Sequence, residues 1–253
     1  MSNAVPLERD PMARAPGQYT RSIVQRLRMR TLLMLGGLAV ATTLMGRRFG
    51  WQDPRFLAAE VAMLTGIFLI SHFVLPQVDR HDRGAKGEEQ VGALLEGLVG
   101  QGWQVVHDAS LGRGNVDHIL IGPGGVFTVE TKSHPGPVRV GRLHGAVLNQ
   151  AQAQRKAIEE IVGQHVEPLV VFSRAWVDRP LTRRKGVRVV PARMLLSYVD
   201  RQPERLSAEA VQRAQERLAR ALAEHLARTR MRTRHRPPKA KTQPPGPSRA
   251  RAI

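Results

Sequence analysis

Two apolar runs dominate the first third of the chain. TLLMLGGLAVATTLMG covers residues 31 to 46, and FLAAEVAMLTGIFLISHFVLP covers 56 to 76 with Glu60 and His72 as its only ionisable groups. A bilayer span needs ~20 apolar residues, with a lower limit of about 17. The second run meets this, and the first does once Met29 and its neighbours join it. The link RRFGWQDPR suits a tight helical hairpin, with Asp53 as cap and Pro54 at the first helical position. Gly36, Gly37, Ala39 and Gly66 are expected to let the two helices approach closely. A soluble hairpin is a poorer account of the length and lack of charge. A cleaved signal peptide fits less well, because a second apolar run follows at once and no small-residue cleavage site stands out. Glu60 and His72 lie near the ends of their run and read as side chains reaching the interface.

From residue 84 the periodicity changes. GEEQVGALLEGLVG carries apolar residues at 91, 94, 95 and 98, a helical stripe. WQVVHDAS reads as a strand, and NVDHILIGPGGVFTVETK as two strands around a Gly-Pro-Gly-Gly turn. GAVLNQAQAQRKAIEEIV, from 145, is a helix. EPLVVFS, from 167, is an apolar and hence central strand, and VRVV, from 187, is another. Strands interrupted by helices predict an α/β domain over residues 84–200, with a mixed central sheet flanked by helices and preceded by a two-helix transmembrane hairpin, 31–76. A long helix follows over 207–229 with Ser207 as its cap. Residues 1–30 form a basic N-terminal segment. Residues 230–253 are basic and Pro-rich, and are expected to be disordered.

Charge adds partners and orientation. The formal charge is +18 and the pI about 11.6, which invites a polyanion, either nucleic acid or an anionic membrane face. The chain has no cysteine, so disulfides and thiolate metal sites are excluded. With two Tyr, three Trp and six Phe, a base-stacking surface of the single-strand-binding kind is poorly supported. Arg14, Arg21, Arg26, Arg28 and Arg30 flank the first run, and Arg80, Arg83 and Lys86 follow the second, against three Arg in the link. The positive-inside bias puts both termini in the cytoplasm. The expected location is the cytoplasmic membrane, multi-pass, with the α/β domain facing the cytoplasm. The basic tail and Arg183-Arg184-Lys185 suit DNA phosphates, anionic lipid, or simply solvent.

Asp117, Glu130 and Lys132 sit inside otherwise apolar strands, where charged residues need partners. If Pro123 and Gly124 are the central residues of a type II turn, residues whose numbers sum to 247 pair, and Asp117 faces Glu130. Alternation puts Asp117, Ile119, Ile121, Val126, Thr128, Glu130 and Lys132 on one face. At an effective dielectric near 20, like charges ~4 Å apart repel by roughly 4 kcal/mol. A shared proton, neutralisation by Lys132, or a bridging divalent cation would relieve this.

Asp117 followed by Glu130-Thr131-Lys132 has the form D…ExK and resembles the core of the PD-(D/E)xK nuclease superfamily. More narrowly, residues 84 to about 173, with GAKGEEQV, NVDHILIGPGGVFTVETK and NQAQAQRKA, resemble the nuclease-related domain, NERD. Val116 stands where the superfamily name has Pro. The resemblance implies a restriction-endonuclease-like sheet, Mg²⁺ or Mn²⁺, and phosphodiester cleavage, with DNA the favoured substrate. It implies catalytic residues Glu88, Asp117, Glu130, Lys132 and Gln150, with Asp117, Glu130 and Glu88 on the metal. Glu88 is the acid selected in the first helix because it precedes Val91 by three residues and Leu95 by seven, on the inner stripe, while Glu89 points outward. Lys132 would orient water or stabilise charge on the phosphorane. Gln150 and Gln154 share a helix face; Gln150 is expected beside the site, and Gln154 to bond neighbouring loops. His118, on the opposite strand face, reads as structural. Gly84 and Gly87 are expected to serve the turn into the first helix. The competing reading is a non-catalytic membrane adaptor that binds nucleic acid or a protein through the same fold.

Overall fold

The computed structural model describes residues 14–50, 52–112 and 114–234. Helix α1 runs Gln18–Phe49 and α2 runs Pro54–Leu69. Asp53 caps α2, its carboxylate accepting from the Arg55 N–H at 2.7 Å. Beyond α2 the chain does not turn. A π-helical stretch, Ile70–Val74, carries it into α3, Leu75–Glu96. Both helical units are long and apolar enough to cross a membrane. Leu32, Leu33, Val40, Leu44, Val61, Leu64 and Phe68 are among the side chains that stand outward and exposed. Thr42 is buried between the helices, its hydroxyl 3.6 Å from Met63 Sδ. Of the small residues expected at this contact, Gly66 faces Leu38, whose methyl would lie 3.2 Å from an added Cβ. Gly36 and Gly37 have nothing within 4 Å and do not mediate the approach.

The expected turn at Gly84 and Gly87 is absent, because both lie inside α3. Close packing explains Gly87: a Cβ there would sit 2.8 Å from Ser133 Cβ and 2.9 Å from Ser173 Oγ. The glycine lets the helix press on the ends of two strands. The second apolar run and the first helix of the α/β domain are therefore one helical rod.

Strands β1 (Gln104–Ser110), β2 (Asn115–Gly122) and β3 (Gly125–Lys132) form an antiparallel meander. After β4 (Pro137–Val138), helix α4 (Gly145–Val162) crosses over to β5 (Val166–Phe172), which pairs parallel with β3. A two-residue strand, β6 (Trp176–Val177), pairs with β4. Strands β7 (Arg183–Arg184) and β8 (Val187–Pro191) complete a six-stranded mixed sheet ordered β1-β2-β3-β5-β8-β7. Alternation sends Leu120, Phe127, Val129, Leu169 and Val171 to one face, beneath α3 and α5 (Leu195–Asp200). It sends Ile119, Ile121, Val126 and Val166 to the other, beneath α4 and α6 (Ala208–Arg234). Helix α6 thus runs five residues past the expected end at 229. The rest of the basic tail, from 235, lies outside the described residues, as do residues 1–13.

The β2–β3 register has His118 opposite Val129, Ile119 opposite Thr128 and Ile121 opposite Val126, each summing to 247. The turn itself differs from expectation. Positive φ falls on Gly125 (127°) rather than Gly124, so it is not type II. Gly122 and Gly124 are glycine for room, since a Cβ on either would press into Trp103, at 2.4 Å and 3.2 Å respectively.

Candidate active site

The site gathers at the carboxyl ends of the parallel strands β3 and β5, where open α/β sheets commonly bind ligands. Asp117 lies near the start of β2, and its Oδ2 accepts from the Thr131 backbone N–H of β3 at 2.7 Å. That bond fastens the acid across the hairpin beside Glu130. Glu130, 3% exposed, accepts from Lys132 Nζ at 2.5 Å through one oxygen and from Gln154 Nε2 at 2.6 Å through the other. Gln154 also donates to the Asn115 carbonyl at 2.9 Å, tying α4 to the entrance of β2.

Glu88 arrives from the opposite layer, because α3 crosses the strand ends at Gly87. Both of its oxygens lie 3.2 Å from the Thr20 hydroxyl of α1. Burial first, and then the neighbouring Asp108, push the Glu88 carboxyl up to about 7, against the Thr20 hydrogen bond. Asp117 is also raised well above the carboxylate range, by burial first and then by Glu130 and Glu88. Glu130 and Glu88 both act on Asp117, which puts the three carboxylates in one electrostatic site.

The N-terminal segment was missed by sequence reasoning as part of this arrangement. Pro16 packs on Gly92, where a Cβ would meet it at 2.5 Å. The Tyr19 N–H donates to Asp108 Oδ2 at 3.2 Å, and Arg14 donates to the Asp108 carbonyl at 3.1 Å. Arg21 pairs with Glu89. No local pattern announces such contacts, which span 68 to 94 residues of chain. Gln150 is exposed and meets Lys132 at 3.5 Å, whereas Gln154 is buried and holds Glu130. Gln150 thus stays beside Lys132, while Gln154, expected only to bond neighbouring loops, lies deeper and also reaches Glu130. A four-residue spacing puts both on one face without saying which lies deeper.

His118 lies on the opposite sheet face. Its Nδ1 is 2.7 Å from His107 Nδ1, and His107 Nε2 is 2.7 Å from Glu96. Burial and then His107 hold His118 down at about 3, so it is neutral and structural. Arg183 and Arg184 are not free for phosphate. Arg183 bonds Glu167 at 2.8 Å, and Arg184 bonds the Val140 and Leu143 carbonyls at 2.8 Å each.

Asp117, Glu130 and Glu88 supply carboxylate oxygens, the donor type a hard divalent cation takes. Among the described residues, no three His, Cys, Asp or Glu side chains are arranged to hold an ion as they stand. Lys132 and Gln154 hold the oxygens of Glu130, and Thr20 those of Glu88, instead. The donor set fits such a cation in chemistry, provided these partners yield.

A mixed sheet flanked by helices, with an Asp, a Glu and a Lys at the strand ends, defines a nuclease-like α/β domain. Residues 83–173 match the family model described as the nuclease-related domain, NERD, so the chain carries such a domain over a little over a third of its length. Among solved structures, a repair endonuclease from Pyrococcus abyssi aligns at 15% identity over 48% of this chain and 47% of its own, with a TM-score of 0.27. Pyrococcus furiosus SfsA, in a complex with Ca²⁺, aligns at 18% over 53% and 51%, with a TM-score of 0.22. The chain spans about half the length of each, and likeness at these scores carries no argument here. No curated protein matches the chain.

Proposed function

We propose that the protein is a membrane-anchored phosphodiesterase that hydrolyses nucleic acid, DNA before RNA, with Mg²⁺ or Mn²⁺, on the cytoplasmic face of the membrane. The observation that carries this is the convergence of Asp117, Glu130 and Glu88 with Lys132 at the ends of β3 and β5. Asp117 and Glu88 are both held above the usual carboxylate range, by burial first and then by neighbouring acids. A divalent cation held by these three would polarise the scissile phosphate and lower the pKa of a bound water.

The chain's own groups do the rest. The Thr131 N–H keeps Asp117 pointed across the hairpin, and Gln154 fixes one oxygen of Glu130. The Lys132 ammonium, at the open side of Glu130, turns towards phosphate oxygen and stabilises charge gathering there. Gln150 limits where that ammonium swings. Helices α1 and α2, with outward apolar side chains, anchor the domain in the bilayer, because such a surface exposed to water is unstable. Helix α3 continues the second span without a linker. Glu88, twelve residues beyond Pro76, lies ~18 Å along the helix from the end of the apolar run.

One observation favours a second reading, a binding module without catalysis: Thr20 already engages both oxygens of Glu88. The test uses the full chain in neutral detergent, because a fragment starting near residue 80 would lose the α1 segment that packs on α3. Plasmid and labelled oligonucleotides are incubated with Mg²⁺ or Mn²⁺. Cleavage that stops with EDTA and in Asp117→Asn supports the hydrolase. Binding without cleavage, indifferent to both treatments, supports the module.

A further inference from the structure

A cleft of about 730 Å³ opens beside the site, between α3, the segment after β3 and the start of α4. Lys132 and Ser133 form part of its wall, so it is continuous with the candidate active site. Arg80, Arg83, Arg139 and Arg142 line it and, among the described residues, no acidic side chain does. All four are exposed, and among the described residues none of them pairs with a carboxylate. The Arg80 guanidinium is steadied by the Pro76 carbonyl at 3.2 Å. The turn that carries Arg139 and Arg142 is steadied by Arg184, through the Val140 and Leu143 carbonyls. The charges are thus set on anchored elements and left free towards the cleft.

The inner wall is of the other kind. Val138, Leu143, Val147 and Phe172 give it an apolar lining, with Pro137 at its side. Pro137 is the register partner of Trp176 in the short β4–β6 ladder. Val138 and Val177 point inward from that ladder, and Pro137 and Trp176 point out. The Trp176 side chain is 58% exposed. The few aromatics in the sequence argue against a stacking surface, yet the fold sets one outward indole beside an apolar cleft with an arginine rim, a single stacking platform next to an electrostatic funnel.

We infer that this cleft binds an unpaired nucleic-acid strand, with phosphates on the four arginines and bases against the apolar wall and Trp176; as a substrate-binding cleft, this rests on the hydrolase reading above. A duplex offers the same phosphates but hides its base faces in the stack, so the apolar wall would gain nothing from it. An unpaired strand, or the frayed end of a duplex, presents both parts at once. Following the cleft, the strand passes Lys132. The substrate class is therefore single-stranded nucleic acid or a duplex with a single-stranded end. Anionic lipid shares the phosphate chemistry, and Arg80 lies only ~6 Å along the helix from Pro76. Lipid does not account for the continuity of the cleft with Lys132.

Binding is read in EDTA, with the full chain in neutral detergent, by the anisotropy of a labelled 12-mer strand and of the same sequence as a blunt duplex. The strand is expected to bind at least about tenfold more tightly. The double variant Arg139→Ala/Arg142→Ala weakens strand binding by about tenfold or more and lowers the slope of log K against log salt by ~1.4, two single-strand phosphate contacts. Trp176→Ala weakens it by about fivefold or more without changing that slope. All three positions are exposed, and helical circular dichroism confirms that each variant is folded. Equal or tighter binding of the duplex overturns the inference, as does strand binding untouched in the double variant. Loss of binding to phosphatidylglycerol vesicles with strand binding intact also overturns it and reassigns the cleft to lipid. If the strand results hold while the wild-type chain cuts nothing with Mn²⁺, the cleft stands and the hydrolase falls. If the wild-type chain cuts while its double variant keeps full strand binding, the hydrolase stands and the cleft falls.

Discussion

Glu130 and Glu167 lie on adjacent strands, β3 and β5, and each is 3% exposed. Their surroundings differ entirely. Glu167 accepts from Arg183, Arg188 and Tyr198, each at 2.8 Å. Burial pushes its carboxyl up, but these three hydrogen bonds together outweigh burial and hold it below the usual value. Glu130 has one ammonium and one amide, beside two further carboxylates, Asp117 and Glu88, that are both held above the usual value. One end of the sheet has spent its charge on holding β5, β7, β8 and α5 together. The other end keeps unbalanced charge, and unbalanced buried charge is what a site needs for chemistry. Burial of an acid therefore says little until its neighbours are counted.

The strongest way to break this comparison is Asp117→Asn. It should lower cleavage by about a thousandfold or more, the several kcal/mol that a lost metal ligand removes, while a thermal melt in detergent shows no loss of stability. A variant that cuts normally sinks the assignment. Glu167→Gln should do the reverse. It leaves two guanidinium groups facing a neutral amide and destabilises the domain by about 2–4 kcal/mol. Specific cleavage per folded molecule should stay unchanged, which requires comparing the activity of the soluble fraction with its melting curve.

A third variant sharpens the contrast through pH. Glu88 has a folded value of about 7 against an ordinary 4.5, so the folded chain holds this proton more tightly than the unfolded chain does. The stability it contributes is fully present below about 4.5, falls as pH rises to about 7, and stays lost above. Glu88→Gln should therefore raise stability at pH 8 by about 1–3 kcal/mol, discounted for partial exposure, and leave pH 4 almost unchanged. Melting curves at the two pH values decide it; an equal shift at both would mean that the Glu88 carboxyl is not raised in the folded chain. The smallest effects separate the two amides. Gln154→Ala should cost about 1–2 kcal/mol and reduce cleavage by about tenfold through a loosened Glu130. Gln150→Ala, at an exposed position, should cost under about 0.5 kcal/mol and reduce cleavage by no more than a few-fold. Kinetics and melts of the pair would expose a reversed order.

Part of this was legible in the chain. The alternation on either side of Gly122-Pro123-Gly124-Gly125 predicts the register that brings β2 and β3 together, even though the turn adopts another geometry. The stripe of Val91 and Leu95 predicts the buried face of α3 and places Glu88 towards the interior. Three features were not legible. Gly84 and Gly87 read as a break, whereas Gly87 serves close packing inside a continuous helix. Arg183 and Arg184 read as a basic patch, whereas one neutralises Glu167 and the other clamps the Val140 turn. Pro16, Tyr19 and Thr20 read as part of a featureless basic arm, whereas they pack against Gly92, Asp108 and Glu88.

The local order of residues by itself determined which segments are helix or strand, which face of each is apolar, and that two acids and a lysine lie on neighbouring strands. These follow from periods of 3.6 and 2 residues, which act over a few positions. Tertiary structure alone decided which amide grips Glu130, which arginines are spent inside the fold, and that the first helix touches Glu88 from across the chain. Those outcomes depend on distances between segments that are remote in sequence. A hydrogen bond or an ion pair acts over about 3 Å, a separation that no spacing along the chain encodes.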